Sequence, residues 1–409
     1  MSLSILGGGM AYLATADSGA IATGVSVGVG TSAAMYARLA VGRWPAILQT
    51  AGAVVLLSML TAPPRLVAVV AVTSLAAAEL IVRHAHRSAI FRLSAWLASI
   101  AGLTTLLGVA AAGSLAPRIA IAECTAAMIG AFLSTPLMMS LAPLAEGLFG
   151  HITRLTMTDY LSYEHPLLRE LASAAPGTFQ HSVNVGVLAD AAATAVGADA
   201  FVARVGSLYH DVGKTVAPAY FIENQHGRNP HDALDPVDSA RILRAHVADG
   251  VDLVERSRMG HRIADFVREH HGTGEMRSLR DQPTSAGSAP DEEAFRYPGP
   301  KPRSRETAIL MIADQLEATA RAKVPASDAE CDAIVQTTIE RIQRERQLEN
   351  AGLTNADLRL AAAAFSRALQ AMYHHRLPYP GTGESSMPAA GARDTVSAGA
   401  ATKPNHPSR

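Results

Sequence analysis

Histidine and aspartate stand side by side at His210-Asp211, closing an apolar segment (Phe201, Val202, Val205, Leu208), with Gly213 and Lys214 just beyond. Other residues of the same chemical kind follow: His246, the doublet His270-His271, and Asp314, with His181 upstream. Imidazole and carboxylate together suit divalent cations such as Mn²⁺, Fe²⁺ or Zn²⁺. Seven such groups exceed what one ion can use, and two ions sharing a bridging carboxylate would account for them. Asp314 lies among Leu310, Ile312, Ala313 and Leu316. A carboxylate in that setting needs a partner, because burying an unpaired charge is costly. A metal would serve; so would a salt-bridge face built from Glu317 and Arg321 on neighbouring turns. Taken singly, each histidine reads as well as a structural or exposed residue, but the ordered set is harder to explain that way.

These residues must be positioned by helices. No convincing strand alternation appears after residue 150, whereas helix signals are plain. Pro176-Gly177-Thr178 opens a helix that should run to Gly197. Asp199 can cap the next, ending near Gly213. Asp235-Pro236 starts another that should stop near Gly250. Further helices are predicted over 261–271, from Ser304 to Lys323, over 327–348 and over 355–375. The ligand-type residues then fall on helices or at helix ends. Residues 274–294, rich in Ser, Pro and Asp, read as a disordered insertion within a domain spanning 176–378. Residues 379–409 read as a disordered tail.

The front half is different. Residues 1–150 of this 409-residue chain hold seven arginines, no lysine and four acids: Asp17, Glu79, Glu123 and Glu146. Five stretches are apolar enough to span a bilayer, at about 18–37, 44–60, 66–82, 93–113 and 119–149, the last broken or re-entrant near Pro136 or Pro143. Residues 1–16 could form a sixth. Arg38 and Arg43 share one loop; Arg83, Arg87 and Arg92 cluster two loops on; Arg154 follows the last span. The intervening loops hold only Arg65 and Arg118, so the richer loops should face the cytoplasm, and with them the polar half. Acids in or near spans are functional candidates, though no ligand is indicated for them. Residues 151–175 connect the two halves. The formal net charge of −1 argues against a partner that is a nucleic-acid polymer. Cys124 and Cys331 read as unpaired thiols. His84/His86 and His374-His375 resemble ligand pairs but stand outside the ordered set and read as non-metal residues.

The motifs "GTFQHS" (177–182), "YHDVGK" (209–214), "HVADG" (246–250), "EHHGTG" (269–274) and "MIADQLEATAR" (311–321) together resemble the HD-domain metal phosphohydrolases. "HPLLRELASAAPGTFQHS" (165–182), "FIENQ" (221–225), "NPHD" (229–232) and "FRYPGPKPRSRE" (295–306) narrow the likeness to the membrane-anchored, PgpH-like cyclic di-AMP phosphodiesterases. The resemblance implies an all-α architecture: a polytopic transmembrane region followed by a cytoplasmic helical HD domain. It implies two divalent ions, Mn²⁺ or Fe²⁺, held by His181, His210, Asp211, His246, His270, His271 and Asp314, with Asp211 as the bridge. A metal-bridging hydroxide would open cyclic di-AMP to linear 5′-pApA, with Asp211 and Lys214 in catalytic roles. Lys214 would also touch the phosphate. Glu223, Asn224, Asn229, Arg296 and Tyr297 would shape the nucleotide pocket, although Asn-Pro and Pro-Gly-Pro turns explain the same residues as loop chemistry. The alternatives are cyclic di-GMP or a mononucleotide as substrate, or a receptor that binds nucleotide without turnover. "HHGTG" lacks the longer signature of the HD-GYP branch, which places the guanine dinucleotide second. Relatives of this type usually carry a large extracellular domain before seven spans, whereas this sequence opens directly in apolar helices. The signal sensed and the oligomeric state are not written in these motifs.

Overall fold

The computed structural model describes residues 19–60, 62–83, 90–113, 116–149, 152–225, 227–282 and 292–373. Among these there is no strand; a single antiparallel bridge pairs Glu275 with Arg296. The apolar half is five helices: α1 (Gly19–Ala40), α2 (Arg43–Met59), α3 (Pro64–Arg83), α4 (Ile90–Ala112) and α5 (Pro117–Phe149). Four stretches, Gly19–Ala40, Pro64–Val82, Phe91–Ala112 and Pro117–Leu148, are long and apolar enough to cross a bilayer. The span expected at 44–60 forms α2, whose 17 residues cover about 25 Å at ~1.5 Å per residue. That is less than the roughly 30 Å hydrocarbon core of a bilayer. The sixth span expected at 1–16 lies outside the described residues.

Apolar surface faces outward here: Trp96, Leu103, Leu107, Ile121 and Leu148 are all exposed. The interior combines bulky apolar side chains such as Met35, Leu93 and Leu97 with small and hydroxylic residues of the kind that let helices approach closely. Thr31 Oγ1 meets Thr73 Oγ1 at 3.3 Å, and Ser32 Oγ donates to the Ser134 carbonyl at 2.8 Å. Gly24 and Gly28 on α1 lie against Ala126 and Gly130 on α5, so closely that a Cβ on Gly130 would collide with the Gly24 carbonyl. The expected break near Pro136 or Pro143 does not occur; α5 runs unbroken through both. Each proline removes one ladder bond, and α5 packs against both α1 and α4, which support it past the loss. The described acids of this region are paired. Glu79 meets Arg43 at 2.9 Å, and Glu123 takes two 2.8 Å bonds from Arg65. Glu146, near the end of α5, accepts from Thr153 N at 3.0 Å and from Thr156 Oγ1 at 2.9 Å. It thereby fastens the apolar half to the start of α6 (Arg154–Asp159).

The polar half continues with α7 (Pro166–Ala174), α8 (Pro176–Val196), α9 (Ala200–Tyr209), α10 (Pro236–Arg256), α11 (Gly260–Glu269), α12 (Arg277–Arg280), α13 (Arg305–Lys323), α14 (Asp328–Arg344) and α15 (Asn355–Tyr373). The caps read from sequence are present. Asp199 accepts from Val202 N, Asp235 from Val237 N and Ser304 from Thr307 N. Helix α8 ends in Gly197, left-handed at φ 68°. Its buried face (Val185, Leu188, Ala189, Ala192) packs with α9, α13 and α15 around Leu208, Ile309, Ile312, Leu316 and Phe365. Fully burying one such side chain contributes roughly 1.5–3 kcal/mol.

Three expectations need correction. Helix α9 stops at Tyr209 and gives way to a 3₁₀ turn, Val212–Val216, instead of reaching Gly213. Helix α10 runs through Gly250 to Arg256. The described parts of 274–294, residues 274–282 and 292–294, are ordered: Met276 N donates to the Phe295 carbonyl and Tyr297 N to the Gly274 carbonyl. Phe295 is fully buried with Ala240 and Leu279, giving this flap a small core of its own. Only 283–291 of that segment, the tail from 374 on, and His84, His86, His374 and His375 lie outside the described residues. Cys124 and Cys331 are both free.

Candidate metal centre

His181 lies on the second turn of α8, on the face that buries Val185 and Leu188. His210 ends α9, and Asp211 starts the 3₁₀ turn that follows. The reason for this abrupt change is Gly213. A Cβ there would collide with the His246 carbonyl and the Gly250 amide, so the turn lies backbone-to-backbone against α10. That contact brings Asp211 beside His246. His270 and His271 end α11 ahead of Gly272, whose φ of 51° reverses the chain. Gln347 secures the reversal by accepting from Thr273 N at 3.0 Å. Asp314 sits midway along α13.

All seven residues meet. Asp211, His246, His270 and His271 form one group of donor atoms within 4.8 Å of one another, and His181, His210, Asp211 and Asp314 form a second. Asp211 belongs to both. Its Oδ1 lies 3.4 Å from His246 Nε2 and 3.5 Å from His270 Nε2; its Oδ2 lies 3.3 Å from His210 Nε2 and 3.7 Å from His181 Nε2. His181 Nε2 is 3.0 Å from Asp314 Oδ1. His271 Nδ1 is 3.9 Å from Asp314 Oδ2.

The other ring nitrogens are occupied elsewhere. His210 and His270 direct Nδ1 to the carbonyls of Ser207 (2.7 Å) and Val267 (2.8 Å), and His246 directs Nδ1 to Leu243. Each carbonyl is three residues upstream, so the helix itself aims Nε2 at the centre. His181 Nδ1 bonds Glu317, which Asn184 Nδ2 braces at 3.2 Å. Outer carboxylates and carbonyls commonly orient metal-bound histidines in this way.

A divalent pair suits these donors. His210 Nε2 and both Asp211 oxygens are buried without a hydrogen bond, and buried polar atoms are rarely left so. Lys214 Nζ approaches Asp211 Oδ2 at 2.7 Å as an ion pair, off the hydrogen-bond direction.

Electrostatics divide the imidazoles. Burial, helped by the neighbouring His270, pushes His246 down to about 3 and holds His271 well below its ordinary value. Burial acts the same way on His210, but Asp211 and Asp314 outweigh it and lift that ring to about 10; Asp314 and Glu317 raise His181 similarly. Burial opposes the charge on Asp211 and Asp314, yet the cations around them hold both carboxyls well below the usual range.

The centre opens on a two-lobed cleft. A lobe of about 690 Å³ runs past Tyr220, Phe221, Asn229 and Leu243. A second, of about 320 Å³, runs past Asp314, Gln315, Arg321 and Arg341. Lys214, Ile222, Glu223, His271 and Tyr297 line both. Tyr297 lies over His271, ring centres 4.1 Å apart.

The remaining expected pocket residues are less free. Glu223 Oε1 accepts from Lys214 Nζ (2.8 Å) and from Thr178 Oγ1 (2.9 Å). Asn224 accepts from Thr178 N and donates to Thr178 Oγ1, which pins the start of α8. Asn229 accepts from His231 N and from Gln225 Nε2. Arg296 stands 3.6 Å from Glu275.

Two important residues escaped the sequence reading. Glu317 entered it only as a salt-bridge rival, and its spacing three residues after Asp314 was the available signal. Glu269 was not singled out at all. It is buried and ties α11 to α13 by accepting from Thr307 Oγ1 (2.7 Å) and Arg303 N (2.9 Å).

Residues 178–319 match the HD domain family model. The crystal structure of the L. monocytogenes phosphodiesterase PgpH HD domain in complex with cyclic-di-AMP is 35% identical, with a TM-score of 0.50. The match covers 53% of this chain and 100% of that one. The chain belongs to the HD-domain family. Within that family it is 36% identical over 254 residues to the cyclic-di-AMP phosphodiesterase PgpH of Bacillus subtilis strain 168, covering 62% of this chain and 36% of that protein. It is 34% identical over 255 residues to the PgpH of Listeria monocytogenes strain 10403S, covering 62% and 36% respectively. The chain thus spans about a third of the length of these curated relatives.

Proposed function

We propose that this protein is a membrane-bound, two-metal phosphodiesterase that hydrolyses cyclic di-AMP to linear 5′-pApA on the cytoplasmic side of the cell membrane. The observation that carries the reading is the pair of donor groups sharing Asp211 on the wall of a two-lobed cleft. The cyclic-di-AMP named for the relatives supports the substrate. The arginine-rich loops and the four long apolar helices support the anchoring.

His181, His210 and Asp314 would hold one ion, His246, His270 and His271 the other, and Asp211 both. Ions of the Mn²⁺ or Fe²⁺ class, when bound, supply Lewis acidity and a water nucleophile at neutral pH. The protein does the rest. Lys214 presents Nζ to both lobes; burial disfavours its charge, but Asp211 and Glu223 outweigh that and keep it protonated as a donor to a phosphoryl oxygen. Tyr297 offers a ring for a base to stack on, and burial raises its hydroxyl so that it remains neutral. Asn229 lines the larger lobe, whereas Arg296 is among the lining residues of neither. Glu223 and Asn224 act one step back, holding Lys214 and the first turn of α8, and so His181, in place.

The test is direct. The full chain, reconstituted in lipid nanodiscs and loaded with Mn²⁺, is offered cyclic di-AMP and cyclic di-GMP separately. Conversion of cyclic di-AMP to 5′-pApA, abolished by chelation, is expected. Turnover of the guanine dinucleotide alone would move the substrate assignment. Binding without turnover would make the protein a receptor.

A further inference from the structure

A cyclic dinucleotide carries two phosphodiesters, and only one can lie on the metal centre at a time. The other keeps its negative charge and must be received elsewhere in the cleft. The larger lobe is lined by apolar and amide side chains together with histidines, Glu223 and Asp232, and among the described residues Lys214, shared between the lobes, is its only lysine or arginine. Arg321 and Arg341 both stand in the smaller one.

The carboxylates of that lobe are already engaged. Glu275 pairs with Arg280 at 2.6 Å, Glu345 with Arg277 at 2.8 Å, Glu223 with Lys214, and Asp314 with His181 at 3.0 Å; Glu317, behind the lobe, is also taken up by His181. Arg321 reaches Glu317 only at 3.4 Å and is 38% exposed. Arg341, half-buried on the last turn of α14, pairs with no carboxylate among the described residues. Helix α13 sets Asp314, Ala318 and Arg321 on one face at spacings of four and three. Arg321 is therefore about 10 Å along the axis from the metal ligand, at ~1.5 Å per residue, and helical side chains lean back toward the N-terminus. Between them Gln315 holds a buried Oε1 with no partner, an acceptor open to a donor on the neighbouring sugar or base.

We propose that Arg341, with Arg321 beside it, anchors the phosphate that is not being cut, making the smaller lobe a specificity subsite for dinucleotides. This rests on the phosphodiesterase reading above. It predicts that substrates with a second phosphate gain from these arginines and substrates without one do not.

The full chain in nanodiscs with Mn²⁺ is compared on cyclic di-AMP and on bis(p-nitrophenyl) phosphate, a diester with a single phosphate. A hydrogen bond to a charged group corresponds to about 10–100-fold in affinity. Arg341→Gln should therefore lower the ratio of kcat/KM for cyclic di-AMP to that for the small diester by this factor, chiefly through KM. Arg341→Lys should recover part of it. Equal losses on both substrates, or none on cyclic di-AMP, would overturn the subsite while leaving the phosphodiesterase standing. Wild-type protein inert toward both would bring down the enzyme reading, and the subsite with it.

Discussion

At the scale of single residues, the centre depends on one carboxylate read by both ligand groups. Asp211→Asn keeps the shape and removes the charge, so both ions should be lost together. Metal analysis of the purified variant should find well under one equivalent, with no diester cleavage and unchanged helical circular dichroism. Glu317 acts through His181, so Glu317→Gln should weaken metal affinity or activity by about 10–100-fold, as outer-shell changes do. The imidazoles also set a pH dependence of known sign. In metal-free protein His210 is raised to about 10 from an ordinary 6.5. Its contribution to folding is therefore complete below about pH 6.5 and lost as pH rises through about 10. Melting of chelated protein should weaken over that alkaline range. Metal needs the same rings neutral, so loading should release protons and tighten with pH; a weakly buffered Mn²⁺ titration should acidify. The ligand types were legible in the sequence because each lies at a helix end or on an apolar face. The supporting bonds were not, because Glu223 and Asn224 look like substrate contacts until Thr178 and Lys214 are seen to occupy them.

At the scale of elements, close backbone contacts decide whether the ligands converge. Gly213 and Gly250 form the seam between the His210-Asp211 turn and α10. Gly213→Ala should cost about 1–3 kcal/mol by overpacking and reduce metal content more than it reduces helicity, measured by metal analysis beside circular dichroism. The sequence reading took Gly250 for a helix stop, since glycine does often end helices. Its actual use, as a flat place for another backbone to rest, leaves no local mark. Pro136 misled in the opposite direction, because a helix held on two sides by its neighbours survives a lost bond that an isolated one would not. The caps at Asp199, Asp235 and Ser304 were readable because they act within one turn. The flap over 275–282 and 292–297 was not, because Phe295 packs against Ala240 and Val237 on α10, far from it in sequence.

At the scale of the whole molecule, and besides the small core of the flap, two large cores share no residue, one built from α1–α5 and the other from α6–α11 and α13–α15. They meet at the bend where Glu146 holds Thr153 and Thr156. Calorimetry in nanodiscs should resolve two melting events, and Mn²⁺ should raise only one of them by mass action. A single merged transition that shifts as a unit would contradict this picture. The apolar half was legible in the sequence as long apolar helices, but its arrangement was not, since contacts such as Gly24 with Gly130 and Thr31 with Thr73 join residues far apart in the chain. Two cores joined at one bend have a consequence for ancestry. The unit that carries the seven ligand-type residues could change its apolar partner without rebuilding that cluster, and related chains are expected to share the cluster while differing in the helices attached to it.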